Sequence, residues 1–461
     1  MIASVRRMPT YPFNRRSFIR SGAIAIAATG SLASVIGAVS PALARGRKPC
    51  RPFRGYGALV PDPNGILDLP RGFQYTVFSR EGDGLTGGGL VPASHDGMAA
   101  FDAGRGATWL VRNHELETDD VEEDGLTPVP NVPGATYDPA AVGGTTTLLV
   151  KPNRKLAQHR VSLAGTSSNC AGGPTPWGSW LTCEETDEIL EKPHGYVFEV
   201  SPTLGGNPVP IVGMGRFEHE AVALDHDGTA YLTEDAGGPF GCLYRYIPVN
   251  PLGGLGSLHA GGALQALSAV GVDTDLSIIQ TPGTVLELDW IDVPNSDPGE
   301  DDTPVREQVI DLGATPIQKC EGAWTDEHGN IWWVASRGDG PDAEDEEDRS
   351  AGLHSGQIWK LDPRSGSMEL VVLFEHGVGY DGPDNITVGP HGFALACSDG
   401  EDDQWLVAIT EDGSVYPFAY NPFSDDEFAG ATFSPDGQTL FVNIQGAPAL
   451  TFAIWGPWQR G

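Results

Sequence analysis

The residues best suited to chemistry lie in one short stretch from Asn169 to Glu185, which reads Asn-Cys-Ala-Gly-Gly-Pro-Thr-Pro-Trp-Gly-Ser-Trp-Leu-Thr-Cys-Glu-Glu. The thiol of Cys170 opens the stretch, a Gly/Pro turn follows, and a short apolar strand ends in the adjacent carboxylates Glu184 and Glu185. Thiolates select soft transition metals and carboxylates select hard cations. Both ligand classes in one hairpin therefore predict a metal site.

The same hairpin pattern recurs along the chain, with a small apolar strand, a turn glycine and a returning strand. The turn glycines are Gly104, Gly178, Gly228, Gly329, Gly392 and Gly437. The residues eight positions before them, which we call the ring positions, are Asp96, Cys170, Glu220, Glu321, Asp384 and Ala429. Further acidic residues lie six or seven positions after a turn glycine, namely Glu184, Glu185, Glu234, Asp235 and Asp399. Five of the six ring positions thus carry a group that binds metals.

Carboxylates that converge in one channel repel one another, and their burial is costly unless cations bind or protons are retained. Oxygen ligands favour calcium or magnesium, and a thiolate among them favours iron. The alternative interpretation is local: an Asp before a turn often only caps the turn, and a lone Cys is often a buried apolar residue. The repetition at one offset favours the metal ring.

The elements that must position these residues are β-strands. The chain has 461 residues with 61 Gly and 37 Pro, and no long stretch has a sustained helical period. Short strands with turn residues between them indicate an all-β fold. A six-bladed β-propeller explains how positions 45 to 101 residues apart meet, because equivalent blade positions face one channel. The uneven spacing predicts long insertions, notably Val249–Asp311 and the acidic run Ala343–Asp348.

The first 44 residues predict a twin-arginine signal peptide. They contain Asn14-Arg15-Arg16-Ser17-Phe18, then a mildly apolar run, then Ala42-Leu43-Ala44. The run is rich in Ala, Gly and Ser, which favours a cleaved signal over a membrane anchor. We therefore expect export by the Tat machinery to the periplasm or medium, and one propeller domain over residues 45–461 whose segment 45–70 wraps the body.

The charge balance of the chain is strongly acidic, with a net charge of −34. The signal holds five arginines and no acid, so the mature chain would carry −39. This balance argues against nucleic acid and anionic membranes as partners of the mature form. It is compatible with bound multivalent cations, and equally with a solvated surface that keeps an exported protein soluble.

Few cationic side chains lie near the ring positions. Lys319, Arg337 and Arg112 are candidates to bind an anionic substrate, and each could equally be a surface charge. His114 and His219 each precede a Glu, and they could support metal ligands or be satisfied core residues.

The chain resembles the PhoX-type alkaline phosphatases. The resemblance rests on Asn169-Cys170 with Thr182-Cys183-Glu184-Glu185, on Phe217-x-His219-Glu220, Glu321-Gly-Ala-Trp324 and Pro383-Asp384-Asn385, and on Asn113-His114-Glu115. The family implies a six-bladed propeller whose channel holds two ferric ions and several calcium ions joined by a bridging oxo group, and hydrolysis of phosphate monoesters. It implies Cys170 as the iron thiolate and Glu220, Glu321 and Asp384 as metal carboxylates, with Glu184 and Glu185 matching the family hairpin. Further ligands, or residues that hold them, would come from Asp96, Glu115, His219, Asp235 and Asp399.

One motif departs from the family pattern. Lys319-Cys320-Glu321 stands where the family has Arg-Pro-Glu-Trp, whose Arg holds the phosphate. A lysine supplies a point charge but not a bidentate fork. We therefore expect Lys319 and Arg337 to act on the substrate. Two other functions are compatible with a carboxylate ring: a calcium-dependent lactonase or esterase of the gluconolactonase type, and a non-enzymatic propeller stabilised by calcium. Neither requires the thiol of Cys170.

Overall fold

Short antiparallel strands joined by tight turns account for almost the whole structure. The computed structural model describes residues 55–236, 240–338, 352–400 and 403–458. The predicted signal peptide, the beginning of segment 45–70 and the acidic run Ala343–Asp348 lie outside these residues. All six turn glycines have a positive φ, between 68° and 85°, which glycine adopts without steric cost.

Four sheets have four strands each. The first contains β4 (His95–Asp102), β5 (Thr108–His114), β6 (Gly143–Val150) and β7 (Leu156–Thr166). The second contains β8 (Asn169–Pro174), β9 (Trp180–Glu184), β10 (Val197–Ser201) and β11 (Gly205–Gly206). The third contains β21 (Pro383–Val388), β22 (Phe393–Ser398), β23 (Trp405–Thr410) and β24 (Val415–Tyr420). The fourth contains β25 (Phe428–Phe433), β26 (Leu440–Ile444), β27 (Leu450–Trp455) and β3 (Gln74–Arg80).

A fifth sheet has nine strands, in the order β12-β13-β14-β15-β16-β20-β19-β18-β17. They are β12 (His219–Leu224), β13 (Ala230–Glu234), β14 (Leu243–Pro248), β15 (Gly262–Ala269), β16 (Val285–Asp292), β17 (Cys320–Thr325), β18 (Ile331–Ala335), β19 (Gln357–Asp362) and β20 (Ser367–Leu373). Strand β16 pairs with β15 on one side and β20 on the other. The stretch Val249–Asp311, which we expected to be an insertion, therefore supplies two strands of this sheet.

Strand β3 closes the structure by pairing with β27, so strands distant in sequence share one sheet. A small sheet of β1 (Leu59–Val60) and β2 (Leu69–Pro70) lies against β24, where Asp68 bridges to Tyr420. The described α-helices are short, α1 (Thr118–Glu122) and α2 (Val305–Ile310). No helix in the described ranges reaches the length and hydropathy that crossing a bilayer requires. The predicted all-β, propeller-like fold is confirmed, with four separate four-stranded blades and one larger sheet.

The strands that open each repeat, which we call the inner strands, surround a common axis. They are β4, β8, β12, β17, β21 and β25, and each contacts the next in chain order, with β25 returning to β4. They are almost wholly buried because sheets pack on both of their faces. The apolar core lies between neighbouring sheets, as in the cluster around Phe418, Phe428 and Phe452.

Candidate metal centre

A bulge near the start of the inner strands positions the predicted ligands. In five inner strands the pairing register shifts between the first and fourth residues, as between His219 and Val222. The ring position is the second residue of each strand and so lies inside this bulge, where side chains are re-aimed. In β25, Ala429 still pairs regularly with Asn443 and the shift begins one residue later. The ring position without a metal ligand is thus also the one outside the bulge.

The structure brings the ring side chains together in four overlapping groups. Within each group the candidate ligand atoms lie within 4.8 Å of one another. The groups are Asp96, Glu115 and Cys170; Cys170, Glu185 and Glu220; Glu220, Glu321 and Asp384; and Asp384, Asp399 and Glu427. Because each group shares a residue with the next, the ligands form one continuous cluster and not four separate sites.

Two buried oxygens in this cluster fit a bound cation. Asp96 Oδ1 and Glu220 Oε1 are buried and have no hydrogen-bond partner among the described residues. Burial, and then the neighbouring carboxylates of Glu115 and Asp384, raise the pKa of Asp96 well above its usual value. Burial, with Glu185, Asp384 and Glu321, does the same to the pKa of Glu220. Such carboxylates must bind cations or hold protons, which makes the cluster a suitable metal site.

Cys170 is held at the junction of two groups by hydrogen bonds to its backbone. The side-chain amide of Asn113 donates to the carbonyls of Cys170 and Ala171, at 2.8 and 2.7 Å. Trp180 Nε1 and Thr182 Oγ1 in turn donate to Asn113 Oδ1. Burial and the surrounding carboxylates raise the pKa of the Cys170 thiol well above its usual value. Only a cation of high thiolate affinity would favour the deprotonated form there.

The adjacent carboxylates of the hairpin have different surroundings. Glu185 belongs to the cluster, whereas Glu184 accepts hydrogen bonds from the backbone amides of Ser167, Gly195 and Tyr196. Its Oε1 also lies 2.6 Å from His194 Nδ1. Against the expectation that both residues bind metal, the structure places Glu184 in a buried structural network, because successive residues of a strand point to opposite faces.

The cationic residues occupy three different environments. Lys319 Nζ forms an ion pair with Asp235 at 2.5 Å, and Lys319 has a positive φ of 54°. Arg337 follows Ser336, whose hydroxyl donates to Glu321 Oε1 at 2.8 Å. Arg112, which was a third candidate to bind an anionic substrate or else a surface charge, is fully buried on β5 and is neither.

The histidines that precede ring glutamates or Glu115 are core residues. His219 Nε2 bonds to the Gly215 carbonyl at 3.1 Å, and its ring lies 3.7 Å from that of Phe217. Burial lowers the pKa of His219 to about 3, so the ring is neutral. His114 bonds to the Ala93 carbonyl and the Thr146 hydroxyl. Asp235, which was also expected to bind metal or support a ligand, pairs with Lys319 and belongs to none of the four groups of candidate ligands.

Two residues of the site were missed by the sequence reasoning. Glu427 joins Asp384 and Asp399, and it lies two positions before the ring position Ala429. The amide of Gln445 donates to Asp96 Oδ2 at 2.9 Å and to Glu115 Oε2 at 2.5 Å. A search for carboxylates near the one ring position without a ligand could have found Glu427. The role of Gln445 has no signal in the sequence.

Comparisons with known proteins agree with the fold. The structure of PhoX from Pseudomonas fluorescens in complex with vanadate, a transition state analogue, matches with a TM-score of 0.67 and 17% identity, over 85% of this chain and 96% of that chain. A gluconolactonase from Xanthomonas campestris matches with a TM-score of 0.43 and 14% identity, over 88% and 99% of the two chains. A regucalcin from Agrobacterium tumefaciens gives 0.41 and 11%, over 83% and 96%. Because the last two scores lie below 0.5, only the first similarity bears on the fold.

No curated protein matches the chain. The family model of the alkaline phosphatase PhoX matches residues 54–448, which include all the inner strands and every member of the metal-ligand cluster. The family predicted from the Cys170 hairpin and the ring carboxylates is therefore confirmed, and the chain belongs to the alkaline phosphatase PhoX family.

Proposed function

We propose that this protein is an exported phosphomonoesterase that works with an iron and calcium cluster in the channel of a six-bladed propeller. The observation that carries the proposal is the continuous cluster of eight carboxylates and one thiol around the inner strands. Membership of the PhoX family supports the reaction class.

Six blades are supported by the cyclic contacts of the six inner strands. In this interpretation the nine-stranded sheet is two blades, β12 to β15 and β17 to β20, joined at their outer edges by β16. Each of the six blades then contributes one ring position, and five of these six positions carry a candidate metal ligand.

The types of ligand in each group indicate which cation that group would hold. Cys170 belongs to two groups, with Asp96 and Glu115 and with Glu185 and Glu220, and these would hold iron. The groups made only of carboxylates would hold calcium. When bound, such cations would neutralise the charge that develops on the phosphoryl group and lower the pKa of water.

Binding of an anionic substrate depends on the charges of the residues in and around the cluster. Without cations, so many buried carboxylates would repel a phosphate dianion, so the cluster must be neutralised before substrate binds. Lys319 is the cation best placed to attract the ester, since its ammonium is partly exposed and its ion pair with Asp235 holds it beside the strand of Glu321. Ser336 fixes Glu321 within the cluster by donating to its Oε1.

Export would follow from the predicted signal over residues 1–44, and folding before Tat transport would allow the metals to be acquired in the cytoplasm. The substrate would be a small phosphorylated molecule outside the cell. The mature protein, which is strongly acidic, would bind neither nucleic acid nor membranes.

The test compares two cysteines of the same hairpin. Cys170 is in the ligand cluster, whereas Cys183 is buried in an apolar cluster with Leu181, Val197 and Phe217. We expect wild-type protein folded in the cytoplasm to contain iron and calcium, to absorb visible light through iron–thiolate charge transfer, and to hydrolyse a chromogenic phosphate monoester. Cys170→Ala should lose the iron, the colour and the activity, and Cys183→Ala should keep all three.

Elemental analysis decides the outcome without assuming a substrate. A wild-type protein that is active but free of metal would refute the proposal, and so would a Cys170→Ala variant with unchanged iron content. Loss of iron and colour from Cys183→Ala, with both kept in Cys170→Ala, would refute the assignment of the thiolate. A lactone assayed in parallel tests the gluconolactonase type of activity.

A further inference from the structure

A guanidinium lies in the interior of the protein without an acidic partner among the described residues. Arg112 is fully buried, and no carboxylate pairs with it among the described residues. Its amino groups reach only neutral acceptors, which are Ser79 Oγ, Thr451 Oγ1, Thr146 Oγ1, His95 Nδ1 and His159 Nε2, at 2.6 to 3.3 Å. Burying an uncompensated charge costs several kcal/mol, on the order of a domain's whole net stability. In so acidic a protein, this arrangement calls for an explanation.

The hydrogen bonds of Arg112 lead to the ring in one direction. A guanidinium only donates, so Thr451 Oγ1 must accept from Arg112 Nη1, at 2.6 Å. The Thr451 hydroxyl then donates to Asn443 Oδ1 at 2.7 Å. This bond fixes the Asn443 amide so that its Nδ2 donates to the Asp96 carbonyl at 2.6 Å. The guanidinium of Arg112 thus orients the Thr451 hydroxyl and, through it, the Asn443 amide, which holds the bulge that contains Asp96.

These contacts also cross the closure of the propeller. Thr451 and Asn443 lie on β27 and β26, Ser79 on β3, and Asp96 on β4 of the neighbouring sheet. Arg112, on β5, therefore bonds to both strands that close the ring, and the relay returns through the neighbouring sheet to a ligand on β4 of its own sheet. Because Arg112 can only donate, His95 Nδ1 and His159 Nε2 must accept from it, so neither ring adds a second charge.

We propose that Arg112 is a positioning residue for the metal ligand Asp96, acting through Thr451 and Asn443. It holds the Asp96 backbone in the bulged conformation that directs the carboxylate to the cluster, and it couples cation affinity to closure of the propeller. The inference rests on the proposed binding of cations by the ring. Among the described residues no hydrogen bond or ion pair joins Asp96 to Arg112, which reaches the bulge through Thr451 and Asn443 and also through His95, the residue before Asp96.

The test removes that hydroxyl and leaves the guanidinium in place. Thr451→Val is nearly isosteric and breaks the relay, whereas Thr451→Ser keeps it. Thr147→Val is the matched control, because Thr147 Oγ1 is buried and has no hydrogen-bond partner among the described residues. Terbium(III) titration of chelator-stripped protein measures cation affinity. Hydrogen exchange of a peptide covering β4 measures the order of the bulge without metal.

We expect Thr451→Val to lower terbium affinity about tenfold and to speed exchange in the bulge. Thr451→Ser and Thr147→Val should stay within about twofold of wild type in affinity. Equal behaviour of the two Thr451 variants in both measurements would overturn the relay, as would an equal loss in Thr147→Val. Wild-type protein that binds no terbium would refute the proposed cation site, and faster exchange in Thr451→Val alone would still support the positioning of Asp96 by Arg112.

Discussion

Replacing Gly430 by alanine tests how closely the inner strands must approach around the ring. Gly430 has a φ of 60°, and a Cβ built on it lies 2.4 Å from the Asp96 carbonyl oxygen and 2.9 Å from Asn443 Nδ2. The left-handed backbone costs an L-residue about 1–2 kcal/mol. Displacing well-packed backbone adds about 1–3 kcal/mol. We therefore expect Gly430→Ala to lose roughly 2–5 kcal/mol of unfolding free energy, the sum of these two costs.

A second glycine separates the two contributions. Gly104 has a φ of 76° and no atom within 4 Å of a built Cβ, so Gly104→Ala bears only the backbone cost. Urea unfolding of both variants gives the steric cost at the ring as their difference. The same displacement moves the Asp96 carbonyl, so Gly430→Ala should also retain less iron on dialysis. A Gly430→Ala variant as stable as Gly104→Ala would show that the inner strands are not in close contact there.

Three further predictions concern charge. Glu220→Gln should lose bound metal, yet with metal removed by a chelator it should be more stable to unfolding than wild type, because it buries no charge at that position. Its gain in unfolding free energy over wild type should grow by about 1.4 kcal/mol per pH unit between the usual and the raised pKa of Glu220, and a gain that does not change with pH would contradict the prediction. Lys319→Ala should raise KM for a phosphate ester about tenfold and affect kcat less, because it removes a charged contact with the substrate. The control Lys360→Ala removes an ammonium that lies over the Trp332 ring, and it should leave KM unchanged. His354 accepts from the Gly356 amide and faces the Ser277 carbonyl, and burial lowers its pKa to about 4. The stabilisation that the neutral ring provides is therefore present above pH 6.5 and is lost as the pH falls towards 4. In urea titrations from pH 7 to 4, the unfolding free energy of His354→Asn should fall by up to about 3 kcal/mol less than that of wild type.

The ring was predictable because the hairpin repeats at a fixed offset from a glycine that must have a positive φ. That constraint ties Asp96, Cys170, Glu220, Glu321 and Asp384 to the second residue of an inner strand. Which of two neighbouring carboxylates faces the channel was not predictable, since it depends on the local bulge. Glu184 and Glu185 were therefore treated alike, although only Glu185 joins the cluster.

Other features depend on tertiary contacts that leave no local pattern. Glu427 enters the cluster from outside the repeat, where the inner strand lacks its own ligand. Strand β15 lies in the stretch expected to be an insertion, and its edge pairs with β16, a strand contributed by the same long connection. Arg112 looked like a candidate for substrate binding because sequence position does not reveal burial; its partners come from five different strands.

The shared strand β16 makes the ring elastically uneven. Strand β16 connects two sheets at the rim through backbone hydrogen bonds to β15 and β20, in addition to the side-chain contacts that join neighbouring sheets. We therefore expect the sector that carries Glu220 and Glu321 to be the stiffest part of the ring. When the radius of a bound ion changes, we expect the displacement to concentrate on the side of Asp96 while Glu220 and Glu321 keep their separation.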